Sequence, residues 1–378
     1  MDVFLSCCDQ VYQRMIDRGW RRSGSWCYKP ELKTSCCPQY TIKLDAMEFK
    51  PSKSQRKLIN RWNRFVLSGK TGEAMDVDAA RKNTSSEPRN SHTFSLTDSI
   101  HASEIGFHSS DEHLTHTFET ILEPSSYTPE KFALFEKYQK EIHHDKSTPS
   151  GFKRFLVDSP LVEEPISYSS SSPDYLPHNY GSYHQLYKLD GQLIAMAVLD
   201  ILPNCVSSVY FMYDKTWEGF SLGKLSALRE ISLAHEIRQA GALEMGYLYM
   251  GFYIYSCQKM RYKGDYSPSY LADPETYEWY PLDKCIPLLE KYRYACFSEP
   301  THCIEEAVRN NDDNSSHSEL DDSDLTNIRM ITMTQTGGVQ AIAITSSPYW
   351  AYEDVRSEFG ACIRGLGLDL AKDIVFDF

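Results

Sequence analysis

The chain has 378 residues, with 39 Lys and Arg against 52 Asp and Glu for a formal charge of −13, and 13% of its residues are aromatic. That length leaves room for two or three domains, and a hydrophobic content of 41% fits a globular chain that buries a core. The longest apolar run, Leu193 to Leu202, is interrupted by Asp200 and is too short to cross a bilayer, which excludes a helical membrane span.

The N-terminus lacks a basic segment followed by a long apolar core, so no secretory signal is expected and the eleven cysteines should be mostly free thiols in a reducing compartment, the cytoplasm with the nucleus as a second location. Residues 1–70 form a basic module, with 14 Lys and Arg against six acids. Arg21, Arg22, Lys53, Arg56 and Lys57 are interleaved with Trp20, Trp26, Tyr28 and Trp62, a pattern suited to a phosphate backbone flanked by stacking surfaces; the other reading is a solvated face. The adjacent pairs Cys7-Cys8 and Cys36-Cys37 bring soft donors together, but there is no CxxC in the chain.

From Thr71 to Ser126 the composition turns to Ser, Thr, Asn, Asp and His, which reads as a disordered linker whose histidines, including His101 and His116, are solvated polar residues. A helix should start at Thr128 with Pro129 in its first position and end near His143-His144. Tyr183–Leu189 and Gln192–Ile201 are β-rich runs around Asp190-Gly191, the dipeptide of a tight type I′ turn, and Cys205 to Tyr213 adds a third strand. From Leu222 apolar residues recur at helical spacing as far as Gly241, and Tyr247 to Tyr255 returns to strand. A second linker over 299–327 is strongly acidic, and 328–378 reads as a packing segment.

The order strand, strand, strand, helix, strand, with the loop Ser221-Leu222-Gly223 feeding the helix, resembles the core of the N-acetyltransferase superfamily, where free N–H groups at the helix start hold the acyl donor. The fold class expected is therefore α+β, with an N-acetyltransferase-like catalytic core (127–298) of mixed sheet and flanking helices, plus a small basic N-terminal domain (1–70). Longer blocks are more specific. Gly181 to Tyr187 through Asp200 to Tyr210, Ser221 to Ile231, and Tyr249 to Gly264 with Pro274 to Tyr277 resemble the eukaryotic arginyl-tRNA protein transferases, as do Asp17 to Gly24, Tyr28-Lys29-Pro30 and Cys36 to Ile42.

That resemblance implies transfer of arginine from arginyl-tRNA to the N-terminal amine of proteins beginning with Asp, Glu or oxidised Cys, which marks them for ubiquitin-dependent degradation. It implies tRNA and acceptor proteins as partners, not DNA or a membrane. The ester of arginyl-tRNA is already activated, so no cofactor is required for the chemistry; the demands are alignment of a free amine and stabilisation of the tetrahedral oxyanion. His184, Glu230 or a water would accept the amine proton, and Ser221, Leu222 and Gly223 would face the donor. Substrate binding is expected from Asp200 and Glu230 toward the arginine, from the neighbouring Arg229, and from Lys259, Arg261 and Lys263 toward an acidic acceptor or the tRNA. His184 and Glu230 also read as ordinary structural residues. The family normally carries a CxxC ahead of the Asp17 to Gly24 block, completing a zinc or iron–sulfur site with Cys36 and Cys37; its absence leaves that site incomplete and suggests an N-terminally truncated or variant form. Two further readings stay open, a silent tRNA- or partner-binding form and an N-acyltransferase using acyl-CoA.

Overall fold

The computed structural model describes residues 2–5, 8–70, 94–107, 115–169, 173–305, 325–333 and 338–377. Its strands are β1 (Asp2–Leu5), β2 (Arg21–Ser23), β3 (Trp26–Tyr28), β4 (Tyr40–Asp45), β5 (Phe118–Pro124), β6 (Gly181–Leu189), β7 (Gln192–Ile201), β8 (Cys205–Tyr213), β9 (Tyr247–Tyr253), β10 (Ser269–Ala272), β11 (Trp279–Pro281), β12 (Arg329–Met333), β13 (Val339–Ala343) and β14 (Val375–Asp377). The principal helices are α1 (Asp9–Asp17), α2 (Lys53–Ser68), α3 (Leu96–His101), α4 (Pro129–Tyr138), α5 (Leu222–Gln239), α6 (Leu282–Lys291) and α7 (Glu353–Leu366). No helix among the described residues is long and apolar enough to cross a membrane.

The larger sheet has the order β11-β10-β4-β9-β8-β7-β6-β5. The β6–β7 hairpin forms at Asp190 (φ 51°) and Gly191 (φ 79°), the two left-handed residues that a type I′ turn needs. Every neighbouring pair is antiparallel except β8 and β9, which are parallel because α5 carries the chain back across the sheet. The helix at Thr128 starts as the sequence implies, the Thr128 hydroxyl accepting the Lys131 amide and Pro129 standing first. One face of the sheet packs on α2, α3 and α5 through Ile59, Trp62, Leu228 and Ile231; the other packs on α4 through Leu134, Phe135, Met196 and Val198. α5 is buried on nearly all sides, including its polar residues Arg229, Glu230 and Glu236, so those charges need partners inside the protein.

The smaller sheet, β13-β12-β14-β1-β3-β2, joins the two ends of the chain. Trp20, Tyr12 and Met15 pack there against Phe359, Ile363 and Phe376. The separate basic domain expected over 1–70 is therefore not what forms. Residues 2–28 pair with 329–377, whereas β4 is an interior strand of the larger sheet between β10 and β9 and α2 covers that sheet's face. The physical reason is that β1 and the short β2–β3 hairpin bury no core alone; β1 joins that hairpin to β14, and β4 is flanked on both sides by strands distant in sequence. The linker expected over 71–126 is likewise shorter: α3 and β5 lie within it, β5 pairing with β6 along its whole length. The stretches 71–93 and 108–114 fall outside the described residues, as does 306–324 of the acidic segment. His101 is not solvated but 5% exposed, held between Glu104 (2.9 Å) and Glu236 (3.1 Å).

Candidate functional site

β8 and β9 pair only through Cys205–Ser207 and Tyr247–Tyr249. Just beyond, each strand carries a bulge. In β8, Val198 faces Tyr210 and Leu199 faces Ser208, so Val209 is the extra residue. In β9, Lys43 faces Tyr249 and Thr41 faces Phe252, which sets Met250 and Gly251 against one residue, with Gly251 at φ +71°. A bulge bends its strand and strengthens the local twist, and two at one level turn the parallel pair into a fork. The edge of β8 from Ser208 onward is left without a strand beside it, and Ser208 to Phe211 are half-buried.

Three groups of residues surround the fork. The first turn of α5 lies on one side; Ser221 enters it in left-handed conformation (φ 54°) and no side chain caps it. A Cβ on Gly223 would touch the Phe211 ring at 3.5 Å, so the helix start and the open strand edge are in contact. Such a helix start offers amide donors and the positive end of the helix dipole to a developing anion.

Glu230, two turns further along α5, is the second group. It is 2% exposed, takes a 2.7 Å hydrogen bond from the Ser226 hydroxyl and a second from Ser208, the residue at which the fork opens. Burial raises its carboxyl above the usual range, and among the described residues no cation forms an ion pair with it.

The third group is a pair of cations. The β9 bulge turns two consecutive carbonyls toward them, Gly251 O accepting from the Arg21 guanidinium (3.0 Å) and Phe252 O from the Lys263 ammonium (2.7 Å). Both side chains are buried, Arg21 stacked 4.9 Å from the Phe252 ring, and neither meets a carboxylate among the described residues. Burial, with the Arg21 charge second, lowers the Lys263 ammonium to about 8. Two desolvated cations without a directly paired acid, Asp17 acting on Arg21 only at longer range, are costly, and an incoming anion would offset that cost.

Several expected site residues are placed elsewhere. His184 is fully buried on β6; its Nε2 donates to Leu156 O (2.9 Å), and its Nδ1 accepts from the Lys131 ammonium (3.0 Å). Burial and Lys131 push it down to about 4, so it is a neutral structural histidine with no lone pair free for a substrate proton. The sign of its pH linkage follows. Between pH 6.5 and about 4 the unfolded chain takes up a proton that the folded chain refuses, so stability is complete near neutrality and drains by about 3 kcal/mol over that window. Urea denaturation of His184→Gln should lose this slope, while the pH profile of turnover stays that of the parent.

Asp200, expected to face the arginine, is enclosed within the protein. Its carboxylate is fully buried in a two-point pair with Arg22 (2.7 and 2.8 Å), and the pair leaves neither residue for arginine or tRNA. Asp200 outweighs the effect of burial and raises the Arg22 guanidinium further. Arg21 is likewise buried rather than laid on a phosphate surface, and Arg229 is ion-paired with Glu104 in the cluster around His101. Lys53 and Lys57 on α2, and Lys259 and Arg261 beyond β9, do face solvent; Arg56 is half-buried, 5.6 Å from the Phe94 ring. Cys36 and Cys37 are exposed with their sulfurs 3.7 Å apart, and among the described residues no third Cys, His, Asp or Glu donor lies within 4.8 Å of both. Among the described residues the pair therefore lacks the further donors of a four-thiolate site; Cys7 lies outside those residues.

The residues that sequence reasoning missed are Ser208 and Ser226, which hold Glu230, and Lys131, which fixes His184. A signal for the fork was present in Gly251, since a glycine inside an otherwise aromatic strand marks a bulge.

Comparison with known proteins adds the identity of the chain. Residues 4–57 match the family model for the arginine-tRNA-protein transferase N terminus, and residues 130–273 match that for its C terminus. Arginyl-tRNA–protein transferase 1 of Drosophila melanogaster is 35% identical over 395 residues, covering 78% of this chain and 80% of its own. The enzyme of the same name from Saccharomyces cerevisiae is 34% identical over 274 residues, 69% of this chain and 48% of its own. An aspartate/glutamate leucyltransferase of Campylobacter jejuni is 23% identical over 70% of this chain and 80% of its own. The matches to both family models, together with a relative aligned over four-fifths of its length, establish that this chain belongs to the arginyl-tRNA–protein transferase family and is an aminoacyl-tRNA transferase.

Proposed function

We propose that the fork between β8 and β9, in an N-acetyltransferase-like core, is where arginine passes from arginyl-tRNA to the N-terminal amine of acceptors that begin with Asp, Glu or oxidised Cys, which marks those proteins for ubiquitin-dependent degradation. The observation that carries this reading is the placement of opposite uncompensated charges about one opening, Glu230 beneath it and Arg21 with Lys263 beside it. The guanidinium of the delivered arginine needs a carboxylate, and Glu230 supplies one. The acidic first side chain of the acceptor needs a cation, and Lys263, backed by Arg21, supplies it. Lys259 and Arg261, exposed on the adjoining turn, and Lys53 and Lys57 on α2 present charge to tRNA phosphates.

The chemistry asks little more. A free N-terminal amine has a pKa of about 7.7–8.0, so roughly a tenth is unprotonated at neutral pH and no strong base is required. The amine attacks the ester carbonyl, the oxyanion rests against the α5 start and the open β8 edge, and collapse expels the ribose hydroxyl.

The test uses labelled arginyl-tRNA with matched peptides that begin with Asp, Glu or Gly. Label on the first two and not on Gly is expected; label on none, with tRNA still bound, would overturn the reading. Lys263 adds a pH signature. Its charge is present below about 8 and lost above it, so the KM for an Asp peptide should climb as pH rises through that value. In Lys263→Met the same KM should be about tenfold or more higher at pH 7, with that rise abolished and the KM for arginyl-tRNA unchanged.

A further inference from the structure

Away from the fork, the chain between α6 and the acidic segment folds back on itself. Tyr294 and Ile304 exchange two backbone hydrogen bonds (3.1 and 2.9 Å), closing residues 295–303 into a loop. Cys296 opens the loop and His302-Cys303 ends it. Glu275, from the turn between β10 and β11, lies against the same loop. The Cys296 sulfur, a His302 ring nitrogen and a Glu275 carboxylate oxygen all lie within 4.8 Å of one another. We propose that Cys296, His302 and Glu275 bind a zinc ion that fastens this loop to the β10–β11 turn, a site independent of the Cys36-Cys37 pair.

The donors suit the ion in kind and in spacing. A thiolate, an imidazole and a carboxylate are the three ligand types zinc takes, at about 2.3 Å for sulfur and 2.0–2.2 Å for nitrogen and oxygen, which sets tetrahedral donors roughly 3.3–3.8 Å apart. Glu275 Oε2 and His302 Nδ1 are 2.7 Å apart, so shifts of about 1 Å, taken mainly by the exposed His302 ring, bring the donors to those separations. Cys303 is the nearest further soft donor, its sulfur accepting the Cys296 amide at 3.3 Å.

The surroundings are arranged as an outer shell. Glu275 Oε1 is held by Lys33 (2.9 Å) and the Tyr294 hydroxyl (3.0 Å), which leaves Oε2 toward the site. Asp273 accepts the amides of Phe297 (2.7 Å) and Ser298 (2.9 Å) and lies 3.5 Å from the Cys296 sulfur, fixing the backbone on which that ligand stands. The charges close as well. A divalent ion cancels the Cys296 thiolate and Glu275, while the backbone amides of Glu275, Thr276, Phe297 and Ser298 hold the Asp273 carboxylate. Cys296 is buried and His302 is 52% exposed on its side chain, so the ion has a path from solvent. Arg293 also donates to the carbonyls of Lys33 and Ser35, so the site would stiffen the loop that carries Cys36 and Cys37.

The reduced chain, stripped with chelator, should take up one equivalent of zinc. Cobalt in its place should give the intense visible bands of a tetrahedral thiolate complex. Cys296→Ser and His302→Ala should lose the spectrum and bind zinc at least about tenfold more weakly, while the Cys36→Ser/Cys37→Ser double variant keeps both. His302 is exposed, so its replacement leaves the fold intact and thermal melting of the stripped variant should match the stripped parent. A parent without the tetrahedral cobalt spectrum, or a spectrum lost in the Cys36/Cys37 variant and kept in His302→Ala, would overturn the proposal.

Discussion

Glu230→Gln is expected to lower kcat/KM for arginine transfer by about 100-fold while leaving the protein at least as stable as the parent at neutral pH. The magnitude follows from the loss of charge-assisted hydrogen bonds to a guanidinium, about 2–3 kcal/mol in a dry site. The stability half follows from the raised carboxyl. An acid whose folded pKa lies above its unfolded one binds more protons folded, so it costs stability as pH rises through the carboxylate range; an amide has no such cost. Gln keeps the shape and can still accept from Ser226 and Ser208. Steady-state transfer and urea denaturation on the same preparation check both halves. A variant that turned over like the parent would remove Glu230 from the site, and one that unfolded would make it a structural residue.

Asp200→Ala is expected to destabilise the protein by about 3–5 kcal/mol, a large fraction of the stability of any domain. The reason is the guanidinium it would strand. Arg22 has no exposed surface on its side chain, and without Asp200 it keeps only Ser182 Oγ (2.7 Å) and the distant carbonyls of Gly24 and Asp158 (3.2 and 3.3 Å). The pair links β2 in the smaller sheet to β7 in the larger one, so its loss is felt at the junction of the two. Replacing both partners with apolar residues should cost far less than Asp200→Ala alone, since no charge is left behind. Denaturant midpoints of the two single variants and the double variant give the coupling directly.

The elements with local causes were legible before any coordinates. Asp190-Gly191 fixed one turn, Thr128-Pro129 one helix start, and the spacing from Leu222 to Ile237 the long helix; all three stand where the sequence puts them. The family, too, is carried by contiguous blocks and matched over residues 4–57 and 130–273. Charge was read less well. Arg21 and Arg22 are neighbours of identical chemistry, yet one meets a buried carboxylate 178 residues away and the other only carbonyl oxygens. Nothing in their spacing separates them, because β2 points adjacent side chains in opposite directions and what each meets is contributed by distant strands.

His184 shows the same division. Its position on a strand was evident, but its role was settled by Lys131 from α4 and by the Leu156 carbonyl, which consume both ring nitrogens. The fork depends on two bulges, and a bulge is a mismatch between strands, so it exists only once β8 lies between β7 and β9, and β9 against β4. The sequence by itself determined local turns, helix starts and kinship, since these depend on residues within a few positions of one another. The tertiary structure alone decided which charges are neutralised and which are left for a substrate, because in a low-dielectric interior the fate of a charge is set by whatever long-range packing brings within about 4 Å of it.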